Sequence, residues 1–163
     1  MNRPDIEADL FRQLLSRFAT GVTVLTTRDA EGRPVGMTAS SLVSVSLVPP
    51  LVSVCVDVSA EMHRVLSSSG DFVVNILAAG QEDFSRRFAA QPAEQRFEGV
   101  PWHESPSGLI VLDGVLAHVE CERFADFPLG DHTLFAGRVT GGAAGEGDPL
   151  LYFRGHYGTL RRP

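Results

Sequence analysis

Two stretches of the chain hold residue types from which a ligand site could be built. The first runs from Gly36 to Asp57, GMTASSLVSVSLVPPLVSVCVD. It sets the hydroxyls of Thr38, Ser40 and Ser41 beside Met37 and Ala39, breaks at Pro49-Pro50, and resumes as an apolar run holding Ser53, Val54, Cys55 and Val56. Small residues let backbone come close to a planar or phosphorylated ligand, and hydroxyls supply donors and acceptors without charge. The second stretch is Gly130-Asp131-His132, set between Pro128 and the apolar run Thr133 to Val139. Glycine permits a tight turn there, and His132 can hydrogen-bond or stack.

Other chemistries lack their signatures. No GxGxxG follows a strand, no GxSxG elbow is present, and no Cys/His group has zinc spacing. The five histidines, His63, His103, His118, His132 and His156, are scattered without an HxH or HExxH pair, which argues against metal catalysis. All 14 basic residues are arginine, so a Schiff-base lysine and a P-loop lysine are excluded.

Further polar candidates each carry a plain structural alternative. Ser59 precedes a helical pattern whose free N–H groups suit an anion, and Arg64 could reach the same charge. Arg86, Arg87 and Phe88 end another helical pattern, where a macrodipole favours arginine and a core favours phenylalanine. Tyr152, Arg154, His156 and Tyr157 form a polar-aromatic cluster that strand packing explains equally well, and Asn75 reads as a structural amide.

These residues need elements to position them. Ile6, Leu10, Phe11, Leu14, Leu15 and Phe18 share one helical face, with Asp5 after Pro4 as its cap. Strands are expected over Val22–Thr27, Gly36–Leu47, Leu51–Val56, Asp71–Leu77, Gly108–Leu112, Val115–Phe124, His132–Thr140, Leu150–Phe153 and His156–Leu160. Asp29 to Pro34 makes a hairpin turn, and short helices fit Ser59–Ser68 and Glu82–Ala89. Gln91 to Ser107 reads as a loop anchored by Trp102, and Gly141 to Gly147 as a flexible connection. Many strands with few short helices point to a mainly β chain, a β-barrel with helical decorations.

Composition bounds the rest. At 163 residues, 44% apolar and 21% charged, residues 1–163 fit one globular domain with a real core. A net charge of −6 argues against a nucleic-acid partner. Cys55 and Cys121 make no disulfide framework, the segment MNRPDIEADLF lacks a signal-peptide core, and no apolar run nears the roughly 20 residues of a membrane span. A cytoplasmic protein without membrane contact is expected.

From Phe11 to Leu160 the chain resembles the short-chain NAD(P)H:flavin reductases. The resemblance rests on the Gly36–Asp57 segment, on Gly130-Asp131-His132 and on Pro149 to Tyr157. It implies an FMN-binding split β-barrel of Greek-key type that reduces free or loosely bound FMN or FAD with NADH or NADPH. By the same resemblance Met37, Thr38, Ala39, Ser40 and Ser41 line the flavin. The strand Ser53, Val54, Cys55, Val56 and the following Ser59 receive its ribityl phosphate, and Arg87 and Phe88 touch it at a corner. Gly130, Asp131 and His132 would serve the nicotinamide, with His132 the one candidate for a direct catalytic role, while Tyr152 would help close over the nucleotide. Thr38 to Ser41 and the backbone around Cys55 would stabilise reduced flavin. Asp57 departs from the family, where an uncharged Asn is frequent. A carboxylate repels a phosphate, so Asp57 is expected to point away or to meet ribityl hydroxyls. Hydride transfer needs little acid–base machinery when the cofactors carry the chemistry, only a contact of about 3–3.5 Å between reacting atoms. The resemblance also implies a homodimer and a partner monooxygenase that receives reduced flavin. A pyridoxamine-phosphate-oxidase type of oxidase and a non-catalytic flavin-binding or flavin-sensing barrel are the alternatives.

Overall fold

The computed structural model describes residues 5–68 and 70–161. Pro4, expected ahead of the first helix cap, lies outside them. Helix α1 (Ala8–Leu15) starts after Glu7 rather than Asp5, has no side-chain cap, and buries none of its residues. A short strand, β1 (Thr20–Gly21), leads into the hairpin of β2 (Thr23–Arg28) and β3 (Pro34–Ala39). The turn between them is built by Asp29, whose Oδ1 accepts the N–H groups of Glu31 and Arg33. Next come β4 (Val43–Leu47), β5 (Pro50–Asp57), α2 (Glu61–Ser68), β6 (Asp71–Ile76) and α3 (Glu82–Ala90). The last third holds β7 (Trp102–Glu104), β8 (Ile110–Leu112), β9 (Ala117–Leu129), β10 (His132–Ala144), β11 (Leu150–Phe153) and β12 (His156–Thr159).

Seven strands form one antiparallel sheet in the order β3-β2-β6-β9-β10-β5-β4. Strands β3 and β4 follow one another in the chain yet lie at opposite edges of that sheet. The expected single strand Gly36–Leu47 is therefore two, interrupted at Ser40–Leu42 where the chain crosses from one edge to the other. Ser41 fastens the crossing: its Oγ accepts the Cys55 N–H at 2.9 Å and lies 3.2 Å from the Cys55 carbonyl. A rolled sheet whose edges meet through a loop rather than a ladder is an open barrel.

The interior explains which residues became strands. Strand β2 is buried on both faces: Leu25 packs with Val54, Val56, Met62, Phe72 and Phe135, while Val24 packs with Leu77, Phe88, Leu112 and Leu150. Its buried threonines lose water but keep partners, with Thr23, Thr26 and Thr27 hydroxyls donating to the carbonyls of Ala39, Ile110 and Asp71 at 2.6–2.7 Å. Asn75, fully buried, donates to the Val24 carbonyl and Thr26 Oγ1 and accepts the Leu112 N–H, which is the structural role expected of it.

Two further expectations are corrected. Gln91 to Ser107 is not one irregular loop: Ala93–Gln95 forms a short 3₁₀ turn, and β7 pairs with β8 so that Trp102 faces Leu112. The Gly141–Gly147 tract is not wholly a flexible connection either. Strand β10 continues through it to Ala144, pairing Gly141 with Glu120 and Gly142 with Val119. At Gly142 φ is +148°, and a Cβ would sit 2.4 Å from the His118 carbonyl oxygen. These glycines serve close strand contact rather than mobility. No described helix is long and apolar enough to cross a membrane.

Candidate functional site

A hollow of about 960 Å³ opens where the sheet fails to close. Met37, Thr38, Ala39, Ser40 and Ser41 line it from β3 and the crossing, Cys55 and Asp57 from β5, and His132 from β10. Cross-strand register explains the last three. His132 is directly opposite Asp57, and Leu134 is directly opposite Cys55, so alternate residues of β5 point to this side. The others, Val54 and Val56, are fully buried in the barrel core, and Ser53 is buried without lining the cavity.

Backbone and hydroxyl ties hold the wall in place. Thr38 Oγ1 donates to the Ser85 carbonyl at 2.7 Å, joining β3 to α3. Phe88 supports the same strand from beneath: a Cβ on Gly36 would come within 2.4 Å of its ring. Phe88 itself is buried against Phe97, ring centroids 5.0 Å apart, so its side chain belongs to the core and not to the cavity. The Cys55 N–H, expected to face a ligand, is taken by Ser41.

The turn Gly130-Asp131 closes the β9–β10 hairpin. Gly130 has φ +64° at the first of the two turn positions, where a two-residue hairpin favours glycine. Asp131 Oδ1 meets His132 Nδ1 at 2.7 Å, which orients the imidazole with Nε2 left unbonded among the described residues. On the facing strand, Asp57 Oδ1 accepts the Ser59 hydroxyl at 2.6 Å and the Ser59 N–H at 2.7 Å. Those two bonds, Ser59 hydroxyl first, hold the Asp57 carboxyl below its ordinary range, with the His132 and His63 rings adding to the effect. Ser59 is thereby committed to Asp57, and Arg64 lies against Glu61 at 3.9 Å instead of reaching toward the cavity.

The remaining candidates gather elsewhere. Arg86 and Arg87 line a second hollow of about 560 Å³ with Asp83, Gln91 and Tyr157. Arg87 donates to the Gln95 carbonyl, and Arg86 lies over the Tyr157 ring at 4.8 Å while pairing with Glu82. Tyr152 packs on Tyr157 with centroids 5.2 Å apart, and Tyr157 shares a 2.8 Å hydrogen bond with Ser85. Thr38 on the first hollow is thus linked through the buried Ser85 to Tyr157 on the second.

Sequence reasoning did not find the outer wall. Leu15, Phe18, Ala19, Thr20 and Gly21, at the end of α1 and the start of β1, line the cavity together with Thr23, Leu42, Val43 and Ile76. A signal for α1 was present in its apolar stripe, which reads as core-facing, yet Phe18 stays 73% exposed.

Comparison with known proteins agrees with this architecture. Residues 15–161 match the family model described as a flavin reductase like domain. The chain is 40% identical over 157 residues to the stachydrine N-demethylase reductase subunit Stc3 of Rhizobium meliloti, covering 93% of this chain and 68% of that one. It is 39% identical to the flavin-dependent monooxygenase reductase subunit HsaB of Rhodococcus jostii, covering 93% and 77%. Another Rhizobium meliloti relative, 41% identical, is longer, and the chain spans 48% of it. The solved structure of Streptomyces globisporus NADH:FAD oxidoreductase SgcE6 with NAD and FAD fragments superposes with a TM-score of 0.90 at 35% identity, over 99% of this chain and 98% of that one. The mainly β split barrel expected from the sequence is the fold of these neighbours. With nearly all of its length matched by the family model and by relatives of this identity, the chain belongs to the flavin reductase like family.

Proposed function

We propose that this protein reduces FMN or FAD with NADH or NADPH at the cavity beside Ser41 and His132. The observation that carries this reading is a roomy cavity of about 960 Å³ whose walls offer hydroxyls and apolar surface. Its size falls within the range of ordinary cofactor sites, about 300–1,000 Å³. The residues present fit a flavin: Met37, Leu42, Ile76 and Phe18 give flat apolar surface, and Thr38, Ser40 and Ser41 give polar atoms at one edge. When bound, the flavin supplies the redox chemistry, accepting a hydride from reduced nicotinamide.

The chain's own residues do the positioning. Ser41 pins the crossing segment to β5, and Thr38 pins β3 to α3, so the polar edge is preorganised before a ligand arrives. Leu15 and Phe18 give one wall apolar surface. Asp131 fixes the ring of His132, whose Nε2 is the group offered to the nicotinamide side. Gly130, Asp131 and His132 are proposed as the nicotinamide-side group, and Arg87 with Tyr152 as more distant contacts at the second hollow.

NADH as reductant is supported by relatives named for it, and a monooxygenase partner by the names of reductase subunits such as HsaB. Those names also favour a reductase over an amine oxidase or a sensor. A homodimer in the cytoplasm completes the proposal. It is supported by the unburied apolar stripe of α1 and by Leu47 and Val48, 86% and 87% exposed at the β4–β5 turn, and the reducing compartment by two free cysteines. The test is oxidation of NADH and NADPH by purified protein with and without added flavins. Turnover that saturates with flavin supports the reading, and flavin binding without any turnover sinks it.

A further inference from the structure

Strand β1 gives the main cavity one wall through Thr20 and Gly21, and β3 gives it another through Thr38. The C-terminal hairpin reaches both. Thr20 pairs with Tyr152 on β11, and Tyr152 pairs with Tyr157 on β12. From there the Tyr157 hydroxyl shares its 2.8 Å hydrogen bond with Ser85 Oγ, and the Ser85 carbonyl accepts Thr38 Oγ1 at 2.7 Å. A further tie, from the Arg154 N–H to the Ser16 carbonyl at 3.0 Å, holds the segment that brings Leu15 and Phe18 to the cavity.

The ring and the hydroxyl of Tyr157 have separate roles. The ring packs on Tyr152, lies beneath Arg86 and rests against the core cluster of Leu77, Phe88 and Leu150. A phenylalanine would fill that place as well. The hydroxyl meets only Ser85 among the described residues, and Ser85 is 1% exposed. Removing it leaves a buried hydroxyl without its partner and loosens α3, whose Ser85 carbonyl holds Thr38.

We infer that Tyr157 is a positioning residue: through Ser85 it sets the spacing between the Thr38 wall and the Thr20 wall, and so the fit of the flat ring between them. It lines the second hollow and not the main cavity, so it acts on the ring through other residues. The inference rests on the flavin-reducing reading and deepens it.

The experiment titrates wild-type protein, Tyr157→Phe, Ser85→Ala and the double variant with lumiflavin, riboflavin and FMN by flavin fluorescence, with thermal melts alongside. Each single variant is expected to weaken all three flavins by about three- to tenfold, because the walls grip the ring they share. The double variant is expected to be no weaker than the single ones, as two residues acting through one bond require. Losses that multiply in the double variant overturn the route through Ser85. A loss that spares lumiflavin, which has neither ribityl chain nor phosphate, means direct contact from the second hollow and overturns the inference. Affinities within about twofold of wild type in the single variants, even with a lowered Tm, reduce the bond to stability alone and overturn it too. Should Tyr157→Phe fail to fold, Ser85→Ala carries the same readings. A wild-type protein that binds none of the three flavins overturns the flavin reading and this inference with it.

Discussion

Ser41 carries more of the site than its size suggests. Its hydroxyl satisfies the Cys55 N–H and approaches the Cys55 carbonyl, so one side chain ties the crossing segment to β5. Removing it leaves a part-buried amide unpaired, a loss of about 1–3 kcal/mol. Ser41→Ala is expected to lower Tm and weaken flavin binding together. Ser40→Ala, at an exposed residue, is expected to shift stability by less than about 0.5 kcal/mol. Equal effects of the two on thermal melts would remove Ser41 from this role. The cysteines should also separate. Burial, with the nearby Glu120 charge adding, pushes the Cys121 thiol up to about 12, while Cys55 is partly open on the cavity wall. A native thiol titration should therefore find one reactive cysteine, protected by flavin, and a second only after unfolding. At this scale the sequence was legible where side chains alternate on a strand. Alternation along β5 separates cavity-facing Cys55 and Asp57 from core Val54 and Val56, but the register that assigns the faces is a tertiary fact.

Elements were legible where period and punctuation agreed. The β2–β3 hairpin around Asp29, the helix with Met62, Val65 and Leu66 inward, and the C-terminal hairpin follow the expected pattern. The split of Gly36–Leu47 was not legible, because every residue there suits a strand and only the sheet order forces a crossing at Ser40–Leu42. The glycine tract misled for a related reason. A glycine reads locally as freedom, yet Gly137 and Gly142 are glycines because a neighbouring strand or ring occupies the space of a side chain. At Gly137 a Cβ would lie 2.6 Å from the Phe72 ring and 2.8 Å from Cys121 Cβ. Gly137→Ala should lower stability by about 1–3 kcal/mol through overpacking, outweighing the roughly 0.4–1 kcal/mol that alanine gains by restricting the unfolded chain. A denaturant midpoint unchanged or raised in this variant would contradict the packing account.

At the scale of the molecule, the barrel buries its core well and leaves much apolar surface uncovered. Helix α1 buries no residue, and its stripe adjoins the cavity through Leu15 and Phe18. Leu47 and Val48 are exposed at the turn that follows the edge strand β4. A second copy of the chain would cover such surface, so analytical ultracentrifugation should give a dimer mass, and Phe11→Asp with Leu14→Asp should shift it toward monomer. A wild-type monomer at micromolar concentration would contradict the dimer.

The central claim is that this cavity exists to reduce flavin, and loss of nicotinamide absorbance tests it most directly. Purified protein is mixed with NADH or NADPH, alone and with FMN, FAD or riboflavin. The account predicts little oxidation without flavin, a rate that saturates as flavin is added, and a marked fall in that rate for His132→Ala. Bound flavin with no oxidation of either nucleotide would contradict it.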